Sequence, residues 1–157
     1  MNKVSELKKQ FESNDFQTKL STSDQLANIG SDESLSFLLE QLKSENNRIR
    51  NAAVLGLMET RNQKFFKPIL DRITELGFNE EIGTLVYALE NFNCSNVLKL
   101  ICELYLYGNA EVQMSTSSIL ADQKFKEIQG ELSNVKQLLN EHGRKIEDFK
   151  IQFEITE

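Results

Sequence analysis

The sequence predicts an all-α fold: a right-handed α-α superhelix of about four stacked helical hairpins, closed by a C-terminal capping helix and followed by a strand or tail. Three observations predict it. Apolar residues recur with a step of 31 or 32, so that Val4 aligns with Leu35, Phe66 and Leu98, and Leu7 aligns with Leu38, Ile69 and Ile101. Phe11 then falls on Leu42, Ile73 and Tyr105, and further along each repeat Leu26 falls on Leu57, Leu89 and Leu120. One proline, seven glycines and no tryptophan in 157 residues favour helices. Two-helix units that bury apolar surface only against their neighbours build a solenoid.

The repeats run over about 1–30, 31–62, 63–93 and 94–122, and residues 123–157 complete the same domain as cap and tail. Each repeat opens with a helix whose apolar residues lie at i, i+3, i+4 and i+7. In the second these are Leu35, Leu38, Leu39 and Leu42, and in the third Phe66, Ile69, Leu70 and Ile73. That spacing puts them on one helix face. The acid after each central pair (Glu40, Asp71, Glu103) then faces water; the first repeat has Lys9 there. Second helices start with small residues, Ser21-Thr22, Ala52-Ala53 and Ser115-Thr116, with Thr84-Leu85 in the third. Small side chains allow close helix approach.

The breaks fit this scheme. Gly30-Ser31-Asp32 ends one repeat and offers an N-cap to the next helix. Ser44-Glu45-Asn46-Asn47, Leu76-Gly77-Phe78-Asn79 and Gly108-Asn109-Ala110 are turns within hairpins. Pro68 falls in the first turn of its helix, where a missing N–H costs little. The acid pairs Asp32-Glu33 and Glu80-Glu81 stand at helix starts and complement the macrodipole.

In residues 123–142, the 3-4-3-4 stripe of Phe125, Ile128, Leu132, Val135 and Leu139 predicts the amphipathic capping helix. Gly130 is the residue that would divide it. His142 ends the stripe, and Gly143 suits the C′ position. The tail has three readings. Phe149, Ile151, Phe153 and Ile155 alternate with Lys150, Gln152, Glu154 and Thr156 as a strand does. Such a strand either folds back on the body or pairs with another chain. Ile146, Phe149 and Phe153 also extend the helical stripe as a frayed helix end.

The residues also carry a resemblance. Asn47-Arg48-Ile49-Arg50-Asn51-Ala52-Ala53-Val54-Leu55-Gly56-Leu57 looks like the second helix of a HEAT repeat, and Lys67-Pro68-Ile69-Leu70 is similar to the start of a HEAT first helix. Glu111-Val112-Gln113 is a weaker echo, and the third repeat has Ile82 where the arginine falls. The short step resembles the compact bacterial HEAT-like units of the armadillo-type class. This resemblance implies a scaffold that binds another protein. Small bacterial HEAT-like proteins also look like immunity-type inhibitors of basic toxin domains.

Composition narrows the function classes. The net charge is −6, and residues 32–123 hold eight basic against thirteen acidic side chains. An acidic body repels phosphate backbones, and Arg48, Arg50, Arg61 and Arg72 are scattered among acids, so nucleic acid is not the expected partner. A protein with a basic surface is. The charged first residues, Met1 to Leu7, do not read as a signal peptide. No apolar run approaches the roughly 18 residues that a membrane span requires. Cys94 and Cys102 read as buried thiols in a reducing cytoplasm.

No catalytic grouping emerges. A single histidine argues against His-based metal clusters, and no Gly-rich phosphate loop is present. Neither cofactor nor metal is expected, and the chain reads as no enzyme. The remaining candidate is the concave face that second helices would line. There Asn51, Leu55, Met58, Tyr87, Glu90, Met114 and Ser118 form the expected partner-binding set, since methionine and tyrosine are enriched at interfaces. The competing reading is that neighbouring helices bury much of it.

Overall fold

A computed structural model describes residues 2–78 and 80–155, with the backbone alone for Glu80. Met1, Asn79 and Thr156, which the sequence places in the first helix, a turn and the tail, lie outside the described residues. The fold is all-α, with one small two-stranded parallel sheet among the described residues. The chain forms two compact units, Met1–Leu76 and Gly77–Glu157.

The first unit holds five α-helices: α1 (Lys3–Phe11), α2 (Phe16–Ile29), α3 (Asp32–Leu42), α4 (Asn47–Glu59) and α5 (Phe66–Leu76), the last preceded by a single 3₁₀ turn at Gln63–Phe65. Four of them start on a side chain that satisfies orphan backbone donors. Asn2 Oδ1 accepts from the Ser5 N–H at 2.8 Å, and Asp15 Oδ2 accepts from the Thr18 N–H at 2.9 Å. Ser31 Oγ accepts from the Ser34 N–H at 3.1 Å, and Asn46 Oδ1 from the Arg48 N–H at 3.0 Å. Gly30 ends α2 with φ +63°, a conformation that suits glycine.

The aligned stripe forms this unit's core. Leu7, Leu26, Leu38, Leu57 and Ile69 are fully buried, and Phe11, Leu42 and Ile73 nearly so. Burial of each such side chain contributes about 1.5–3 kcal/mol. The most extensive helix pairing joins α2 to α4. It is close because of two residues. Ser23, fully buried on α2, donates its hydroxyl to the Ala52 carbonyl at 2.7 Å. Gly56 lies against it: a Cβ there would overlap Ser23 Oγ and come within 3.0 Å of the Ser23 carbonyl oxygen.

Two buried cations hold the hairpin turns. Lys19 donates from Nζ to the Phe11 carbonyl at 2.7 Å, at the C-terminus of α1. Arg50, one step of 31 later, is fully buried and donates from Nη1 to the Ser44 carbonyl at 3.0 Å, just past the end of α3. Each supplies positive charge to the negative end of the preceding helix. Arg72 on α5 reaches the same Ser44 carbonyl at 3.3 Å and pairs with Glu45 at 2.9 Å.

The second unit begins with a 3₁₀ turn at Glu80–Ile82, followed by α6 (Gly83–Leu89), α7 (Leu98–Tyr107), α8 (Ala110–Asp122), β1 (Lys124–Phe125), α9 (Glu131–Glu141), a 3₁₀ turn at Ile146–Phe149 and β2 (Gln152–Phe153). Leu85, Leu89, Ile101, Cys102, Leu104, Leu120 and Leu139 are among its buried residues. Asn109 caps α8 by accepting from the Val112 N–H at 3.0 Å. Gln123 ties the end of α8 to the loop before α7. It donates to the Phe92 carbonyl at 3.0 Å and accepts from the Cys94 N–H at 2.8 Å.

The C-terminal region corrects two expectations. The capping helix spans Glu131–Glu141, so Phe125 and Ile128 lie outside it. Gly130, at φ +81°, turns the chain into a left-handed conformation that a continuous helix does not contain. Phe125 instead sits fully buried in β1, while Ile128 is exposed. The helix ends as the sequence suggests. Gly143 has φ +69°; its N–H donates to the Asn140 carbonyl at 3.0 Å and that of Arg144 to the Leu139 carbonyl at 2.8 Å.

Of the three tail readings, the fold-back is the observed one. β2 pairs in parallel with β1, Lys124 opposite Gln152 and Phe125 opposite Phe153. The helical extension is already broken at Gly143, and the separate 3₁₀ turn at Ile146–Phe149 ends on Lys150 at φ +53°. Phe149 stacks edge-on against Tyr105 with centroids 4.9 Å apart.

Two outcomes test this account of the first unit. Gly56→Ala forces α4 off α2 and should cost about 1–3 kcal/mol in chemical denaturation, as overpacking does. Asp24, exposed on α2, is held above its ordinary value by partial desolvation first and by the Glu59 charge second. Its ionised form therefore disfavours the folded state above the folded pKa, and the penalty disappears once the group is protonated. Asp24→Asn should accordingly raise the melting temperature at neutral pH, with an advantage that shrinks as pH falls through the carboxylate range.

Candidate functional site

In the first unit the sequence selects Asn51, Leu55 and Met58, which share one stripe of α4. Asn51 and Leu55 are half-buried, and Asn51 Oδ1 is buried without a hydrogen-bond partner. Met58 is only 7% exposed, and Val54 is fully buried. For Met58 the burial reading prevails. The physical reason is that α4 packs on two sides, against both α2 and α3, and buries seven of its thirteen residues. A helix covered on two faces keeps little surface for a partner.

In the second unit the selected residues are Tyr87, Glu90, Met114 and Ser118. Tyr87 is 45% exposed on α6 and Met114 is 72% exposed on α8. The two helices pack against each other. Glu90, the C-cap residue of α6, and Ser118 line a shared hollow of about 60 Å³ with Ile119, Asp122 and Gln123. Ser118 donates its hydroxyl to the Met114 carbonyl at 3.3 Å, one turn back. This unit thus combines two large apolar side chains in water with two carboxylates and a bound hydroxyl. Exposed Met and Tyr of this kind are what interfaces use.

The groups that bear chemistry lie elsewhere. Cys94 and Cys102 are buried free thiols, each pushed up to about 12. Burial is the first cause in both; for Cys102 the charges of Glu103 and Glu131 add to it. The thiolate, which is the reactive form, is scarce at neutral pH in such a setting. Cys94 also directs its Sγ towards the Leu89 carbonyl at 3.4 Å. His142 is exposed, with Nδ1 2.9 Å from the Leu138 carbonyl and its ring edge-on to Tyr107 at 5.3 Å. Among the described residues no group of three or more His, Cys, Asp and Glu side chains could hold a metal ion. No helix there is long and apolar enough to cross a membrane.

One feature of the first unit escaped the sequence reading. A cleft of about 390 Å³ opens beside the α1–α2 and α3–α4 turns, with Lys19 and Arg48 in its wall. Its residues read singly as turn and cap positions, so no periodic signal joins them. Comparison of the chain with family models, curated proteins and solved structures finds no match.

The thiol environment has a direct readout. Both cysteines should resist a thiol-reactive disulfide reagent in the native protein at mildly alkaline pH and react in full under denaturant. Rapid labelling of the native chain would contradict the burial described.

Proposed function

We propose that the chain is a non-enzymatic, cytoplasmic protein-binding module of HEAT-like kind, built as an α-α superhelix and engaging its partner through its second helices. The observation that carries this reading is the exposure of Tyr87 and Met114 on the adjacent helices α6 and α8. Leaving these side chains partly in water forgoes about 1–2 kcal/mol of burial for each of them. A partner that covers them recovers that energy. The burial of Leu7, Leu38, Ile69 and Ile101, and of Leu26, Leu57, Leu89 and Leu120, at the 31- or 32-residue step of the sequence supports the repeat reading. The buried free thiols suit a reducing compartment.

The net charge of −6 favours a partner with a basic surface, because complementary charge speeds encounter and excludes acidic competitors. It also supports the narrower reading of an immunity-type inhibitor that covers a basic toxin domain. That version requires tight binding that weakens steeply with added salt, and a toxin gene beside its own.

The test compares the wild-type chain with a Tyr87→Ala, Met114→Ala double variant in affinity capture from native lysate. Wild type should retain a specific protein, and the variant should bind it about thirtyfold or more weakly, the effect of losing about 2 kcal/mol at a hot spot. Thermal melting should shift by only a few degrees, because Met114 is largely exposed and Tyr87 keeps 45% of its surface in water. Undiminished capture by the variant would remove α6 and α8 as the binding surface.

A further inference from the structure

We propose that the cleft in the first unit is a second binding site, and that its occupant is an acidic peptide segment: one carboxylate meets Lys19 and Arg48, and an adjoining apolar side chain lies on Phe37 and Ile49. This does not rest on the second-helix reading, since none of the seven residues assigned there lines the cleft.

The charge pattern comes first. The chain carries −6 overall, yet cations outnumber acids two to one along this wall, Glu12 being the acid. Neither Lys19 nor Arg48 forms an ion pair among the described residues. Lys19 is 6% exposed, and its ammonium carries three N–H donors, of which one goes to the Phe11 carbonyl. Arg48 lies with its guanidinium 5.3 Å above the Phe16 ring. Buried cations ordinarily have a paired charge. Here burial, followed by the repulsion of Arg48, pushes the Lys19 ammonium below its ordinary value; the Glu12 charge offsets only part of this, and Asp15 acts on Arg48 without forming an ion pair. A carboxylate seated between the two cations would relieve that repulsion. The first turns of α2 and α4, two of the longer helices, add partial positive charge beside it.

The remaining wall selects a peptide over a bare anion. Phe37, held edge to face on the buried Phe11 ring with centroids 5.4 Å apart, and Ile49 present apolar area that inorganic phosphate cannot use. The side-chain amides of Asn14 and Gln41 line the same space and offer both donors and acceptors, as a peptide backbone requires. The volume falls in the lower range of ligand sites.

The experiment uses the full chain, isotopically labelled for amide NMR. The probe is an end-blocked pentapeptide of alternating phenylalanine and glutamate; its control has glutamine for each glutamate, and inorganic phosphate forms a third arm. The acidic peptide should shift the Asn14, Gln41 and Ile49 signals saturably. The control should bind about tenfold or more weakly, the loss of one charged hydrogen-bonded contact. Arg48→Gln, an exposed and structurally mild change, should cause a similar loss with its spectrum otherwise intact. Equal binding of both peptides, saturation of the same signals by phosphate at equal concentration, or full affinity in Arg48→Gln would each overturn the proposal.

Discussion

The α-helices here run from seven to fourteen residues, and no helix of that length is stable alone in water. Each must cover its apolar stripe with a neighbour, and that constraint governs both units. It explains why the buried residues recur at a fixed step and why turns are short. It also explains the concentration of side-chain caps at helix starts. With so few turns in each helix, the unsatisfied terminal donors are a large share of its backbone groups.

Close approach is the second requirement, met by different means in each unit. In the first, the missing Cβ of Gly56 and the inward hydroxyl of Ser23 bring α2 and α4 together. In the second, Thr116 returns its hydroxyl to the Val112 carbonyl at 2.8 Å on its own helix. It buries a small residue without asking a neighbour for a partner. The paired small residues were visible in the sequence because they recur. The role of Gly56 was not, since a glycine between Leu55 and Leu57 has no periodic signature of its own.

Legibility followed periodicity. The leucine spine could be read because many residues obey one rule. Lys19 could not: a lone lysine near a helix start reads as a solvated charge, and only the fold shows that it returns to the carbonyl end of the preceding helix. The extent of α9 was misread because a 3-4 stripe continues through Gly130, where the backbone does not. For the candidate site, Tyr87 and Met114 were legible as apolar residues off the core stripe. Met58 was not, because whether a helix is covered on one side or two is decided by its neighbours. The cleft at Lys19 and Arg48 is assembled from four separate segments, and no local pattern announces it.

The pairing of Gln152 and Phe153 with Lys124 and Phe125 has a consequence for handling the protein. The Phe125 carbonyl accepts from the Glu154 N–H at 2.8 Å. Proteolytic trimming before Gln152 would strip that ladder partner and uncover a sheet edge beside a wholly enclosed phenylalanine. An uncovered edge recruits whatever extended backbone it meets, often a second damaged copy. The segment from Gln152 to Glu154 therefore shields that edge from a second strand.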